Sequence, residues 1–274
     1  MGGAERAQRR RRQQQTAAKR PAKSSTVVQA ARASTGSGGD RNRLLKGIIV
    51  VAVIAAVVIG GVLWQRSRSA PPDAAPVRTI TAEYPVTIDG GVVVAGEGSA
   101  EVTVDVYEDF LCPACGTFEE RDAAKIEQAL AAGTVKVRYH MLNLLDQQSN
   151  PPGYSLDAAA AGVCAAEAGE FPSFHASLFG AQPREGGHGY TIDQLVQLGR
   201  DVGITGPAFE SCVRDSTHAD AVRAELESAR TDPALRRPNP NGGDYFGTPT
   251  VVADGKLVDL GNPNWLDDAI GEAG

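Results

Sequence analysis

The sequence lacks the short motifs that mark several large enzyme classes. It has no glycine-rich phosphate loop, no serine-centred nucleophile elbow and no His-Glu helix of a zinc protease. Of its four histidines, His140, His188 and His218 have no acid or cysteine neighbour that would form a triad or metal motif. His175 lies among apolar residues on a predicted helix and is interpreted as a packed structural histidine. Motif-based assignment to nucleotide hydrolases, serine hydrolases or zinc proteases is therefore excluded.

Cysteine is also scarce, but two of the four cysteines form a C-x-x-C motif, Cys112 and Cys115. Before the motif, valines alternate with polar residues from Val102 to Tyr107, which is the period of a strand. After it, apolar residues recur at helical spacing from Phe118 to Leu130. The motif is therefore predicted to lie at a helix N-terminus, with Pro113 in the first turn, where proline is tolerated.

The position of this pair predicts thiol chemistry. The first turn of a helix has unpaired N–H groups and about half a positive charge, both of which favour a thiolate. We predict that Cys112 is the catalytic nucleophile and that Cys115, one turn further in, is the buried resolving thiol. A C-x-x-C between a strand and a helix favours a thioredoxin-like redox motif over half a zinc site or an ordinary structural pair.

A second stretch, from Tyr245 to Val258, is typical of a Gly-Thr-Pro bend, a strand, an Asp-Gly turn and another strand. On its own, Thr248-Pro249 would indicate only a turn before a strand. Together with the C-P-A-C motif, the stretch resembles the thioredoxin superfamily and, within it, the membrane-anchored DsbA-like thiol:disulfide oxidoreductases of actinobacteria. The resemblance runs from about Val92 to the C-terminus. It implies that Pro249 is cis and packs beside the cysteines, and that the backbone of Thr248 binds a substrate strand.

The N-terminal region has a strong charge asymmetry. Residues 1–46 carry twelve Lys and Arg against two acids and are predicted to form a disordered, basic cytoplasmic tail. Nucleic-acid binding is an alternative for such a tail, but membrane topology is the simpler explanation because residues 47–64 are apolar throughout. We predict that residues 47–64 span the cell membrane once. A cleaved signal peptide is disfavoured, since the apolar run is long and residues 67–70 form a poor cleavage site.

Beyond the predicted span, residues 65–85 are rich in Pro, Ala and Arg and are predicted to form a stalk. Residues 86–274 are expected to form the DsbA-like thioredoxin domain, with a helical insertion at about 154–235. The predicted fold class is therefore α/β, a thioredoxin fold with an inserted helical domain, preceded by one transmembrane helix. Local signals predict a hairpin over 86–95, a strand over Val135–Met141, a cap at Ser155, a capping box at Thr191 and Gln194, and a terminal helix over 265–270.

Cys164 and Cys212 form a second pair, and both fall on predicted helices of the insertion. An even cysteine count outside the cytoplasm favours a disulfide between them. Two buried free thiols, or a four-cysteine zinc site with Cys112 and Cys115, remain alternatives. The family resemblance implies that similar structural disulfides occur in some actinobacterial relatives.

The sequence departs from the family pattern near the motif. Ala114 stands where the best-known member has a histidine, and the nearby acids are expected to oppose the thiolate. The redox potential is therefore predicted to be less oxidising than about −120 mV. Relatives often carry a buried carboxylate where this chain has Val106, so Glu108 is predicted to be only a weak substitute. The nearby acids that are expected to oppose the thiolate are Glu108, Asp109, Glu119 and Glu120.

The expected function is extracytoplasmic thiol-disulfide exchange that introduces disulfides into secreted proteins, and the expected protein partners are reduced or misfolded secreted proteins. Cys112 would form the mixed disulfide with the substrate and Cys115 would resolve it. No cofactor or metal is expected, and the resemblance implies a membrane quinone-linked partner that restores the disulfide. A reductase or isomerase of the same fold is an alternative, somewhat favoured by Thr248 before the proline. A non-enzymatic anchored binding module is the other alternative.

Overall fold

The computed structural model describes residues 40–68, 72–239 and 242–273, and within the first range it describes side chains only for residues 48–62. The chain divides into two units between Gly61 and Val62. Residues 1–39 of the predicted basic tail lie outside the described residues.

The first described element is helix α1, Asp40–Arg68. Its described side chains, from Ile48 to Val62, are all exposed. Among the residues that the structure describes, no helix combines the length and the apolar character needed to cross a membrane. The predicted span over 47–64 includes side chains outside the described part of the chain.

The second unit is built on a six-stranded sheet. The strands of the chain are β1 Val86–Asp89, β2 Val92–Ala95, β3 Val102–Glu108, β4 Val135–Met141, β5 Arg237–Pro238, β6 Asp244–Tyr245, β7 Thr250–Ala253 and β8 Lys256–Leu257. The spatial order of the large sheet is β1-β2-β4-β3-β7-β8, while β5 and β6 form a separate two-stranded sheet. Only the β3–β4 pair is parallel among the described pairs. The predicted hairpin and the strand over Val135–Met141 are confirmed.

Helices cover this sheet and form the inserted layer. Helix α2, Pro113–Ala131, connects β3 to β4. Between β4 and β7 lie α3 Tyr154–Glu167, α4 Phe171–Gly180, α5 Ile192–Asp201, α6 Pro207–Arg214 and α7 Ala219–Thr231, with short 3-10 helices at Asp146–Gln148 and Pro233–Leu235. Helix α8, Trp265–Ala273, follows the last strand. The predicted thioredoxin fold with a helical insertion is therefore confirmed.

Helix α3 is the centre of the inserted layer because its alanine-rich sequence lets neighbours approach closely. Ala158 to Ala166 are buried without exception. The predicted cap at Ser155 is wrong: the N-cap is Gly153, whose φ of +126° favours glycine. Ser155 is instead in the first turn, where its buried hydroxyl donates to Asp109. The capping box of Thr191 and Gln194 is confirmed.

The described part of the predicted stalk, residues 72–85, contacts the helical layer. The Arg78 N–H donates to Ser177 Oγ at 2.8 Å, and the Ile80 N–H donates to Ser173 Oγ at 3.1 Å. The two serines are four residues apart on α4 and so lie on one face of that helix. Residues 78–80 are therefore held to the folded domain.

The inserted layer is cross-linked by a disulfide between Cys164 on α3 and Cys212 on α6, with an S–S distance of 2.08 Å. The predicted pairing is confirmed, and the two alternatives, free thiols and a four-cysteine zinc site, are wrong for this state. The sequence separation is 48 residues. For a loop of that length, the chain-entropy model gives a stabilisation of roughly 4 kcal/mol.

Candidate active site

The C-x-x-C motif lies between the end of β3 and the start of α2. Cys112 is the N-cap residue of α2 and Pro113 lies in the first turn, as predicted. The N–H groups of Cys115 and Gly116 both donate to the Cys112 carbonyl. Cys112 is 7% exposed, whereas Cys115 is 0% exposed. Only the first sulfur of the pair is therefore within reach of another protein.

The two thiols differ strongly in acidity. The pKa of Cys112 is lowered from 9.0 to about 6, chiefly by a hydrogen bond from the Cys115 thiol. Thr248 and the N–H groups of Cys115 and Ala114 lower it further, whereas burial opposes the shift. The pKa of Cys115 is raised well above its usual value, first by burial and then by its bond to Cys112. At neutral pH, Cys112 is mostly thiolate and Cys115 is a thiol.

The Thr248-Pro249 bend lies next to this thiolate. The peptide bond between the two residues is cis, as the family resemblance implies. The Thr248 carbonyl oxygen lies 3.4 Å from Cys112 Sγ. The buried Thr248 hydroxyl forms no hydrogen bond to any other described residue, and its interaction with Cys112 lowers the pKa of that thiol. The structure therefore brings together all four residues predicted for the site, Cys112, Cys115, Thr248 and Pro249.

A buried cluster of Glu108, Glu119 and His175 lies behind the cysteines. His175 Nε2 is 2.6 Å from Glu108 Oε1, and His175 Nδ1 is 3.8 Å from Glu119 Oε2. Burial raises the pKa of Glu108 well above its usual value, and it raises the pKa of Glu119 to about 8 with help from the charge of Glu108. Burial lowers the pKa of His175. Burial therefore disfavours the charged form of each of these three groups.

The expectation that neighbouring acids oppose the thiolate holds in part, because the charge of Cys112 raises the pKa of both Glu108 and Asp109. Burial favours the protonated forms of Glu108 and Glu119, and the pKa of Glu119 is about 8, so the repulsion from these two carboxyls is weakened. Asp109 is a structural residue: its carboxylate accepts hydrogen bonds from the N–H groups of Leu111 and Leu145, both at 2.8 Å, and from the Ser155 hydroxyl at 2.7 Å. Burial raises its pKa to about 6.

Sequence analysis underestimated the cluster. Glu108 was predicted to be a weak substitute for a family carboxylate, yet it is fully buried and helps to raise the pKa of Cys115. The alternation of β3 was the available signal, because it places Glu108 on the same face as the buried valines. No comparable signal joins His175 to Glu108, since the two lie on different elements.

A cavity of about 540 Å³ opens beside the N-terminal part of α2. Its lining includes Pro113, Gly116 and Glu119 from the helix. Gln182, which follows the C-terminus of α4, also lines it. Gln182 Nε2 donates to the carbonyls of Phe110 at 3.1 Å and Cys112 at 2.8 Å. A Cβ at position 116 would lie 2.5 Å from Gln182 Oε1, so Gly116 makes room for this clamp on the motif loop. Sequence analysis did not single out Gln182.

Residues 89–271 match the family model described as Thioredoxin. The chain belongs to the thioredoxin family. Among solved structures of the family, it is similar to reduced DsbA from Mycobacterium tuberculosis, with 28% identity and a TM-score of 0.57 over 67% of this chain and 92% of that one. It is also similar to the reduced disulfide bond oxidoreductase DsbG of the same organism, with 30% identity and a TM-score of 0.54 over 75% of this chain and 89% of that one.

A further similarity lies within a larger protein. The chain is 34% identical over 212 residues to the serine/threonine-protein kinase PknE of Mycobacterium tuberculosis, a match that covers 74% of this chain. The chain spans 36% of the length of that kinase. The thioredoxin-family match and the DsbA and DsbG structures confirm the DsbA-like resemblance predicted from the two motifs.

Proposed function

We propose that this thioredoxin-family protein is an extracytoplasmic thiol-disulfide oxidoreductase that introduces disulfides into reduced secreted proteins. The observation that carries the proposal is the asymmetry of the pair: a reachable Cys112 with a pKa of about 6 beside a buried Cys115 with a raised pKa. A low pKa stabilises the reduced enzyme, which makes the Cys112–Cys115 disulfide a good oxidant. The similarity to DsbA and DsbG supports the same assignment.

The reaction is a two-step exchange. A substrate thiolate attacks Cys112 Sγ of the enzyme disulfide, forming a mixed disulfide, and Cys115 leaves and takes up a proton. A second substrate thiolate then attacks the substrate sulfur of the mixed disulfide. The substrate disulfide forms, and Cys112 leaves as a stable thiolate. Two electrons pass from the substrate dithiol to the enzyme pair, and the Thr248 backbone aligns the substrate strand beside Cys112.

The enzyme would then be reoxidised at the membrane. We infer a single-pass anchor over residues 47–64 because the segment is apolar, lies within α1 and follows a basic tail that favours the cytoplasmic side. The catalytic domain would lie outside the cell, and a membrane quinone-linked partner would accept the electrons from reduced Cys112 and Cys115. The proposal requires no cofactor in this chain and no nucleic acid.

Trapping tests the proposed roles of the two cysteines. In cells that produce the full chain with Cys115→Ser, mixed disulfides with exported proteins should accumulate on Cys112, because the resolving thiol is missing. The matched variant Cys112→Ser should form none. Adducts seen equally with both variants, or with neither, would contradict the proposed division of roles.

A further inference from the structure

We propose that Cys164, Cys212, His218 and Glu167 form a zinc site when their disulfide is reduced, so that the same residues hold either a covalent bond or a metal ion. This inference is independent of the proposed function, because none of the four residues contacts the Cys112 site in the described contacts.

The four side chains converge from three helices. Cys164 and Glu167 are three residues apart on α3 and so share one face. Cys212 comes from α6, and His218 is the N-cap residue of α7. The ligand atoms of Cys164, Cys212 and His218 all lie within 4.8 Å of one another. The fourth ligand is in place too, since Glu167 Oε2 is 3.5 Å from Cys212 Sγ and Oε1 is 3.1 Å from His218 Nε2.

The oxidised state leaves one of these polar atoms, His218 Nε2, without a hydrogen bond to a described residue. A disulfide sulfur has no hydrogen to donate, so the approach of Glu167 to Cys212 is not a hydrogen bond. His218 Nε2 is buried and forms no hydrogen bond to a described residue, despite its closeness to Glu167. A buried ring nitrogen that has no hydrogen bond and lies within 4.8 Å of both sulfurs indicates a position that a metal ion can take.

The chemistry of the donor set selects the ion. Two thiolates, an imidazole and a carboxylate are the ligand types that Zn²⁺ takes in tetrahedral sites, with Zn–S near 2.3 Å and Zn–N and Zn–O near 2.0–2.2 Å. Such bond lengths separate the ligand atoms by roughly 3–4 Å. The His218 and Glu167 atoms already lie at about that spacing from their neighbours, and only the two sulfurs, 2.08 Å apart in the disulfide, must separate.

The two states exclude each other by electron and proton balance. Reduction of Cys164–Cys212 by a dithiol consumes two electrons and two protons, gives two thiols and leaves the dithiol as a disulfide. A newly exported chain begins with the same two thiols. Binding of Zn²⁺ then releases the two thiol protons. Reoxidation to the disulfide requires the metal to leave, because the two sulfurs lose the negative charge with which thiolates bind Zn²⁺ and give up two electrons to the oxidant.

Cobalt substitution tests the site. The full chain with Cys112→Ser and Cys115→Ser, which leaves only this pair, would be purified in detergent, reduced with a phosphine and titrated with Co²⁺ without oxygen. We expect one Co²⁺ per chain with tetrahedral, thiolate-ligated absorption that Zn²⁺ displaces. Because loss of a second-shell partner alone weakens binding by about 10–100-fold, His218→Ala and Glu167→Gln should each weaken it at least about tenfold. The matched control His188→Ala should leave it unchanged.

Circular dichroism of the reduced chain guards against a folding artefact. If reduction lowers the helical signal, stoichiometric Zn²⁺ should restore it, since metal binding and folding are coupled. The proposal is overturned by reduced protein that binds no metal, by an octahedral cobalt spectrum, or by equal binding to the oxidised chain. Unchanged affinity in His218→Ala would overturn it as well, because the two cysteines alone would then account for the metal.

Discussion

At the residue scale, the chemistry of the site depends on which of two neighbouring thiols carries a charge. Cys115 and Thr248 both donate toward Cys112, whereas burial keeps Cys115 protonated. Ala114, between the cysteines, contributes only its backbone N–H. The low pKa therefore arises from hydrogen bonds within the loop and does not require a charged side chain in the motif.

Titration of the reduced full chain should show this asymmetry. The ultraviolet absorbance of the thiolate should rise with a midpoint near pH 6, and Cys112→Ser should remove this step. Because the pKa of Cys112 falls from 9.0 to about 6 on folding, its ionisation stabilises the folded reduced protein fully when the pH is above 9.0. This stability is lost as the pH falls through about 6. The excess stability of the reduced form over the oxidised form should therefore shrink from pH 9 to pH 5. A midpoint above pH 8 would contradict this account.

For Glu119, the stability of the fold changes with pH in the opposite direction, because folding raises its pKa. Its pKa is raised from 4.5 to about 8 in the fold, so the unfolded chain ionises first as pH rises. Stability from this group is complete below about pH 4.5 and is lost as pH rises toward 8. Glu119→Gln should therefore raise the free energy of unfolding at pH 7 by about 1–3 kcal/mol.

The neighbour of Glu119 supplies the control for that measurement. Glu120 is exposed, so Glu120→Gln should leave the unfolding free energy nearly unchanged at all pH values. For Glu119→Gln, the gain measured by urea unfolding should fade near pH 4.5. A pH-independent effect would mean that the carboxyl of Glu119 is ionised in the fold.

At the scale of helices and strands, the sequence predicts those features whose determinants are local. The capping box needs only Thr191 and Gln194, three residues apart, and the β1–β2 hairpin needs only a two-glycine turn between valine-rich strands. The Cys164–Cys212 disulfide was predicted from the even number of cysteines and the expected location outside the cytoplasm. None of these requires knowledge of which helix packs on which strand.

Features that depend on distant partners were not predicted. Ser155 has the composition of a cap, but Asp109, 46 residues away, takes its hydroxyl. Residues 72–85 have the composition of a spacer, but Ser173 and Ser177, more than 90 residues away, bind their backbone. In the site, the pairing of His175 with Glu108 was also not predicted, because the two residues are 67 positions apart in the sequence. A composition rule applied to a short window cannot detect a partner supplied by the tertiary fold.

Helix α1 carries the prediction about topology. Because a basic tail precedes the apolar segment 47–64, the N-terminus should remain in the cytoplasm. A reporter that is active only outside the cytoplasm should be active when fused after Gly274, and the fusion should remain with the membrane fraction. Activity of a cytoplasm-specific reporter at that position, or release of a soluble product, would contradict the anchor.

At the scale of the whole molecule, the fold gives one thiol pair access to a substrate and seals the other pair into a cross-link. The sheet positions Cys112 beside the Thr248-Pro249 bend, and the inserted helices bury the Glu108 cluster behind it. A disulfide that Cys112 releases easily suits net oxidation of a substrate. Repair of wrong disulfides would instead need a reductant that keeps Cys112 and Cys115 reduced in the presence of the substrate.

The most direct test compares these two reactions with one preparation. Purified full chain, with Cys112 and Cys115 oxidised, would be mixed with a reduced, unfolded substrate protein, and the reduced enzyme would be mixed with the same substrate carrying scrambled disulfides. We predict that the oxidised chain forms one substrate disulfide for each Cys112–Cys115 disulfide and that the Cys112→Ser variant is inactive. We also predict that the reduced enzyme reshuffles scrambled disulfides much more slowly than the oxidised enzyme oxidises the reduced substrate. Faster reshuffling than oxidation, or an inert chain with its cysteine pair intact, would contradict the proposed oxidase.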